Sequence, residues 1–192
     1  SSDLLTTNYT YELEQAVNGT FSSGDYRRYY HISKEVSKAE KQSMLFQHNS
    51  FSDVIPEIWH IHGEAYYPGS IVMGHYYYGK LLRAIQNYCS SLLSRYHKAQ
   101  KENREYQKLS WVDHFVMDDV YTLGFGFNLS EADLWWLLCY KKRHFSDRKT
   151  VFIVPDKDLQ KQLLKHLKSF MIELANRSEE HTSELQSLAY LV

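Results

Sequence analysis

Two histidines stand two residues apart in the stretch from Glu57 to Gly69, EIWHIHGEAYYPG, at the end of an apolar run that glycine then breaks. Histidine is the side chain whose charge changes nearest neutral pH, so His60 and His62 are candidate proton acceptors or metal ligands. On a strand, alternate residues point the same way and the two imidazoles share a face, which suits a metal site. His75 is the nearest supplementary ligand, but no convincing acidic third ligand stands at another strand end.

Three further stretches carry chemistry. TTNYTYELE offers the hydroxyls of Thr6 and Thr7 and the carboxamide of Asn8, neutral groups that bind sugar hydroxyls or position a water. A helix-capping role for Asn8 or Thr10 is the alternative. LGFGFNLSEAD, around Gly124, Phe125 and Gly126, lets the backbone approach a ligand closely, or simply makes a tight turn; Asn128 or Ser130 caps the helix behind it. VPDKD, with Pro155 and Asp156, closes the last apolar run.

These stretches need elements to hold them. Apolar spacing predicts a strand over Asp3 to Thr7, a helix over Tyr9 to Val17, and a strand in VIPEIWHIHG. SIVMG is a short extended piece. A long helix from Tyr76 to about Gln100 follows, with Leu81, Leu82, Ile85, Cys89, Leu92 and Leu93 on one face. After the charged KENREYQK and then WVDHFVMD come the strand DVYTLGF, a helix over Glu131 to Arg143, the strand TVFIVP and a helix from Asp156 to about Asn176. Residues 21–52 are irregular, with FSSGD a turn, YRRYYHI a candidate strand and then a polar section, and read as an insertion or a small cap. Strands alternating with helices, two of them continuous apolar runs, predict an α/β fold with a parallel sheet covered by helices. In such folds ligands bind at the carboxyl ends of the strands, where all four chemistry-bearing stretches fall.

Composition narrows the partners. The 192 residues are 43% hydrophobic and 23% charged, enough for one globular core, and the formal charge of −1 supplies no global basic field for nucleic acid or an anionic membrane. Cys89 and Cys139 form neither a zinc module nor a disulfide framework, which fits a reducing cytoplasm. No apolar run is long enough to span a membrane and no signal segment opens the chain, so a soluble protein is expected. The chain opens without Met and almost directly on an apolar strand, as if inside a domain. Residues 177–192, RSEEHTSELQSLAYLV, resemble one reading frame of a common short-read sequencing adapter and are expected to be a non-native tail.

TTNYTYELE, IWHIHGE, LGFGFN and VFIVPD, in this order over about residues 3–156, resemble the successive motifs of sirtuin-like NAD-binding domains of the bacterial anti-phage defence type. The resemblance implies a Rossmann-like parallel sheet with helices on both faces, truncated at its N-terminus before the family's first glycine-rich βα unit. It implies NAD as substrate, Asn8 and His62 as catalytic residues, and cofactor contacts from Thr6, Thr7, Thr10, Gly63, Gly124, Phe125, Gly126, Asn128, Pro155 and Asp156. Thr10 stands where the family usually has Asp, and Gly126 where it usually has Ser. The paired cysteines of zinc-bearing deacylating sirtuins are absent, so no zinc is expected and the implied reaction is NAD+ hydrolysis. A phage-sensing partner domain or subunit, and a homo-oligomeric parent protein, are further implications. Thr10 also matches the Asn-Tyr-Thr motif of AbiH-type abortive-infection proteins, for which the expectation is an interaction domain without NAD cleavage.

Overall fold

The computed structural model describes residues 3–20, 22, 24, 30–32, 44–49, 57–123, 131–153, 161, 164–165 and 190–191. The chain divides into two compact units, Ser1–His114 and Phe115–Val192. In outline the protein is α/β, mixing helices with short strands in two small sheets that each contain parallel pairs.

The first unit holds strand β1 (Leu4–Thr6), helix α1 (Glu12–Asn18), strands β2 (Tyr30–Ile32), β3 (Gln47–Asn49) and β4 (Ile58–His60), and the long helix α2 (Gly74–Lys101). Its sheet runs β1-β4-β3-β2, with β1 parallel to β4 and the other neighbours antiparallel. Every residue of β4 is buried, as a parallel pair covered on both sides requires. Residues 21–52, expected as an insertion or cap, thus contribute β2 and β3 to the same sheet; most of the stretch lies outside the described residues. The core face of α2 carries Leu81, Ile85, Tyr88, Cys89, Leu92 and Ala99, three and four apart as the sequence spacing predicts. Burial pushes the Cys89 thiol up to about 12, which removes it as a thiolate nucleophile at neutral pH.

Apolar spacing in WVDHFVMD assigns no element, and the structure makes it helix α3 (Trp111–Met117). Ser110 and Asp113 start it reciprocally: Ser110 Oγ accepts from the Val112 amide at 3.2 Å, and the Asp113 carboxylate accepts from the Ser110 amide at 3.2 Å.

The second unit contains β5 (Val120–Leu123), helix α4 (Ala132–His144), β6 (Thr150–Ile153) and β7 (Tyr190–Leu191), all three strands parallel in the order β5-β6-β7. β7 comes from the stretch expected as a non-native tail; residues 177–189 lie outside the described residues. β6 is buried at Thr150, Val151 and Phe152, as a continuous apolar run predicts. β5 is not: Tyr121 and Leu123 are 64% and 72% exposed and alternate with half-buried residues. As an edge of the described sheet, β5 has the one-sided period of a strand covered on a single face. Of the helix expected over Asp156 to Asn176, only Lys161, Leu164 and Lys165 lie within the described residues, and they are helical.

Lys141, on α4, is 2% exposed, and its ammonium donates to the Asp118 carbonyl at 2.5 Å and the Lys149 carbonyl at 3.0 Å. It thereby ties together the chain entering β5 and the chain entering β6. Burial pushes its pKa down to about 8, against the opposing pull of Asp119 and Asp118. Between pH 8 and the usual lysine value the unfolded chain holds a proton that the folded chain has lost. Stability therefore rises with pH through that window, by about 3 kcal/mol in total. Urea unfolding at pH 7, 9 and 10 is expected to show the wild type gaining stability relative to Lys141→Met as pH rises, over and above the opposite trend of Cys89 and the buried tyrosines that both proteins share; a difference that does not change with pH would refute this role of Lys141.

Among the described residues no helix is long and apolar enough to cross a membrane.

Candidate functional site

β1 and β4 run parallel with Thr6 opposite His60, so their carboxyl ends open side by side. The chain leaving β1 carries Thr7, Asn8, Tyr9 and Thr10 before α1 begins; the chain leaving β4 carries Ile61, His62, Gly63 and Glu64. Main-chain bonds knit the two segments together. The Ile61 amide donates to the Thr6 carbonyl at 3.0 Å, and the Ala65 amide to the Tyr9 carbonyl at 2.8 Å. The Tyr9 hydroxyl donates to the Val72 carbonyl at 2.9 Å, while the Val72 amide donates to the His62 carbonyl at 2.8 Å.

Asn8 is exposed, and its amide donates to Thr6 Oγ1 at 3.1 Å, which bends the chain away from the strand. Thr6 is buried and Thr7 half-buried. Thr10 is exposed and its hydroxyl donates to a carboxylate oxygen of Glu12. Neither Asn8 nor Thr10 caps the helix: Tyr11 occupies that position without a side-chain cap, its carbonyl accepting from the Gln15 amide at 2.9 Å.

The two histidines have separate surroundings. His60 ends β4, and both ring nitrogens are engaged: Nε2 is 2.7 Å from Glu14 Oε1 and Nδ1 is 2.7 Å from the Asn8 carbonyl oxygen. Burial alone would lower its pKa, but the hydrogen bond and charge of Glu14, then the Asn8 carbonyl and Glu64, outweigh it and hold the imidazole above its usual value. His62 lies past the end of β4, in the turn, so strand alternation does not extend to it. It is 2% exposed and meets the Tyr78 ring edge-on at 5.2 Å between centroids. The shared face that a His-x-His metal site needs is therefore not formed, and His60 has no nitrogen left for a metal. Among the described residues no group of three or more His, Cys, Asp or Glu side chains is arranged to hold a metal ion.

A second carboxylate completes the surroundings. Glu64 is buried and accepts from the Tyr11 hydroxyl at 3.1 Å, and that hydroxyl in turn accepts from the Tyr66 amide at 3.0 Å. Burial raises the Tyr11 hydroxyl well above its usual pKa, with Glu64 and Glu14 adding to the effect, so it acts as a neutral donor. The Tyr11 ring stacks on Tyr66 at 4.5 Å and lies 5.3 Å from His60.

Sequence spacing thus brings Thr6, Asn8, His62 and Gly63 to adjacent strand ends. Gly124, Phe125, Gly126, Asn128, Pro155 and Asp156 lie outside the described residues. Glu14, Tyr11 and Glu64 are the residues that sequence reasoning missed. One local signal existed: Glu14 follows Tyr11 by three, which puts a carboxylate on the helix face of a buried aromatic.

Comparison of the chain with protein-family models, with curated proteins and with solved structures returned no match.

Proposed function

We propose that this chain is part of a sirtuin-like NAD-binding domain with a Rossmann-like parallel sheet, and that its intact parent hydrolyses NAD+ at the nicotinamide–ribose bond in bacterial anti-phage defence. The observation that carries the reading is the exposed Asn8 at the carboxyl end of β1, beside the His62–Gly63 turn that leaves the parallel neighbour β4.

Cleaving that bond develops positive charge on the ribose, so a site gains by orienting the ring and a water with neutral groups. The Asn8 carboxamide supplies a donor and an acceptor for ribose hydroxyls or water, and its exposure fits that task. His62 supplies an imidazole, the type of side chain that takes a proton from water or a ribose hydroxyl in general base catalysis. His62 is buried and meets the half-buried Tyr78 ring edge-on, which sets a condition for this reading: the imidazole has to become accessible for a ribose to reach it. No zinc enters the reading.

The test is NAD+ depletion in cells expressing the full-length parent. Asn8→Ala and His62→Ala are each expected to slow depletion about 100-fold or more, the scale of a lost base or a lost orienting group. Depletion unchanged in both variants would sink the assignment. If the wild type itself leaves NAD+ intact, the reading that remains is an AbiH-type interaction domain without cleavage. Thr10 favours it, as do the exposed Tyr66, Tyr67, Met73, Tyr76 and Tyr77 around the same turns.

A further inference from the structure

We infer that Glu14 and His60 are positioning residues: a buried carboxylate–imidazole pair that pins the main chain of Asn8 at the mouth of the proposed ribose site. The inference rests on the NAD reading for its meaning, but its geometry stands apart from it.

The Asn8 carbonyl can only accept, so the His60 Nδ1 facing it at 2.7 Å carries a proton. On the other side, Nε2 lies 2.7 Å from Glu14 Oε1, so a further proton is shared between imidazole and carboxylate. Glu14 holds the imidazole above its usual pKa against the opposing effect of burial, which favours that proton on the ring. Both hydrogen bonds are then charge-assisted and directional.

Placement supports a local purpose. Glu14 is 0% exposed although it lies in the first turn of a seven-residue helix, and a glutamate is almost never fully buried unless paired. Buried ion pairs contribute little net stability because desolvation cancels most of the attraction. What this pair does contribute is a fixed position for one carbonyl. The chain at Thr7 to Tyr11 has no helix or strand of its own, and the imidazole at the end of β4 grips it at Asn8. Tyr11 and Glu64 face the imidazole from the flanking segments, and exposed Glu12 contributes from the surface of α1.

The pair is also pH-sensitive, with a sign that follows from its chemistry. The imidazole's folded pKa lies above its unfolded value, so its contribution is complete below about pH 6.5 and is lost as pH rises through the folded value.

The test uses the intact protein and has two arms. In the first, amide hydrogen exchange is followed at Asn8 and at Ala65, whose amide is bonded to the Tyr9 carbonyl. Glu14→Gln is expected to speed exchange at both about tenfold over the wild type. Should that variant fold poorly, the wild type alone decides the point. ¹⁵N shifts of the His60 ring are expected to show both nitrogens protonated at pH 7, with these two amides losing protection beyond the ordinary pH trend as the ring titrates. In the second arm, NAD+ consumption is measured against pH: Glu14→Gln is expected to lower kcat about 10- to 100-fold, with a smaller change in KM, and to shift the alkaline limb of the profile to lower pH. Unchanged exchange at Asn8 and Ala65, or a His60 ring titrating at the ordinary histidine value, would overturn the inference. A wild type that consumes no NAD+ but passes the exchange arm would overturn the NAD reading and leave the clamp standing.

Discussion

Replacing Asp113 by alanine is expected to lower the unfolding free energy by about 3–5 kcal/mol in urea titrations, the cost of stripping one partner from a buried charged network. Asp113 is fully buried and its carboxylate gathers four donors. Oδ2 accepts from the Tyr88 hydroxyl at 2.5 Å, the Leu109 amide at 3.0 Å and the Ser110 amide at 3.2 Å, while Oδ1 accepts from the Tyr106 hydroxyl at 3.1 Å. Burial, then Asp113 itself, raises both tyrosines, Tyr106 to about 12, so both remain donors across the working pH range. Arg95 lies over the Tyr88 ring at 4.6 Å and is attracted by the Asp113 charge. Alanine leaves four donors without their acceptor, those of Tyr88 and Ser110 buried and those of Tyr106 and Leu109 half-buried, and removes the start of α3 at the same time. Asp113→Asn separates the two causes. Its carbonyl can replace Oδ2 at three donors, and its amide can donate to Tyr106 once that hydroxyl turns. That variant is expected to lose only about 1–2 kcal/mol. Equal losses in the two variants would mean that the hydrogen-bond count is not what Asp113 contributes.

How far the sequence foretells this molecule depends on the range of the interaction. The face of α2 was legible because Leu81, Ile85, Cys89 and Leu92 repeat with a local period, and that period is what burial selects. The strand ends at Thr6 and His60 were legible because an apolar run stops at polar residues and a glycine. Helix α3 was not, since nearly every residue of WVDHFVM is buried and its apolar residues show no one-sided period; the Ser110-x-x-Asp113 start was the available sign. β2 falls within YRRYYHI, a candidate strand by its residues, but β3 was obscured by polar composition, and what joins β3 to β4 is a pairing of Asn49 with Ile58 that no local spacing reports. β5 was over-read, because VYTL looks apolar on both sides yet only one side is covered. Within the site, Asn8 and His62 stood out by motif, whereas the partners of His60 did not. Glu14 lies 46 residues from it in sequence, and Tyr11 lies 53 residues from Glu64. The structure therefore divides the histidines on grounds that HIH spacing lacks: one is held by a carboxylate and a carbonyl, the other meets a tyrosine ring edge-on.

Gly63→Ala is expected to cost about 3–4 kcal/mol, combining left-handed backbone strain with a steric clash. The residue has φ +94°, and a Cβ added there falls 2.3 Å from the Ser70 carbonyl oxygen, 2.5 Å from its carbon and 2.7 Å from the Ile71 Cα. All three are backbone atoms, and their segment is held. The Ser70 amide donates to the Tyr67 carbonyl at 2.9 Å, the Ile71 amide to the Pro68 carbonyl at 3.2 Å, and Val72 bonds back to His62. Relief of the clash therefore moves residues 70–72 outward and loosens the Tyr9–Val72 bond that joins the two strand-end segments. Gly74 supplies the control: its φ is +75°, but a Cβ there meets nothing within 4 Å, so Gly74→Ala carries strain alone, about 1 kcal/mol. Chemical denaturation of both variants should give losses differing by about 2 kcal/mol or more. Under the proposed NAD+ reading, Gly63→Ala should also slow NAD+ consumption by displacing His62 and the Asn8 segment together, while Gly74→Ala should leave it close to the wild type. Matching stability losses at the two glycines would show that the turn yields without strain, and that close approach at Gly63 is not what holds His62 against the chain leaving β1.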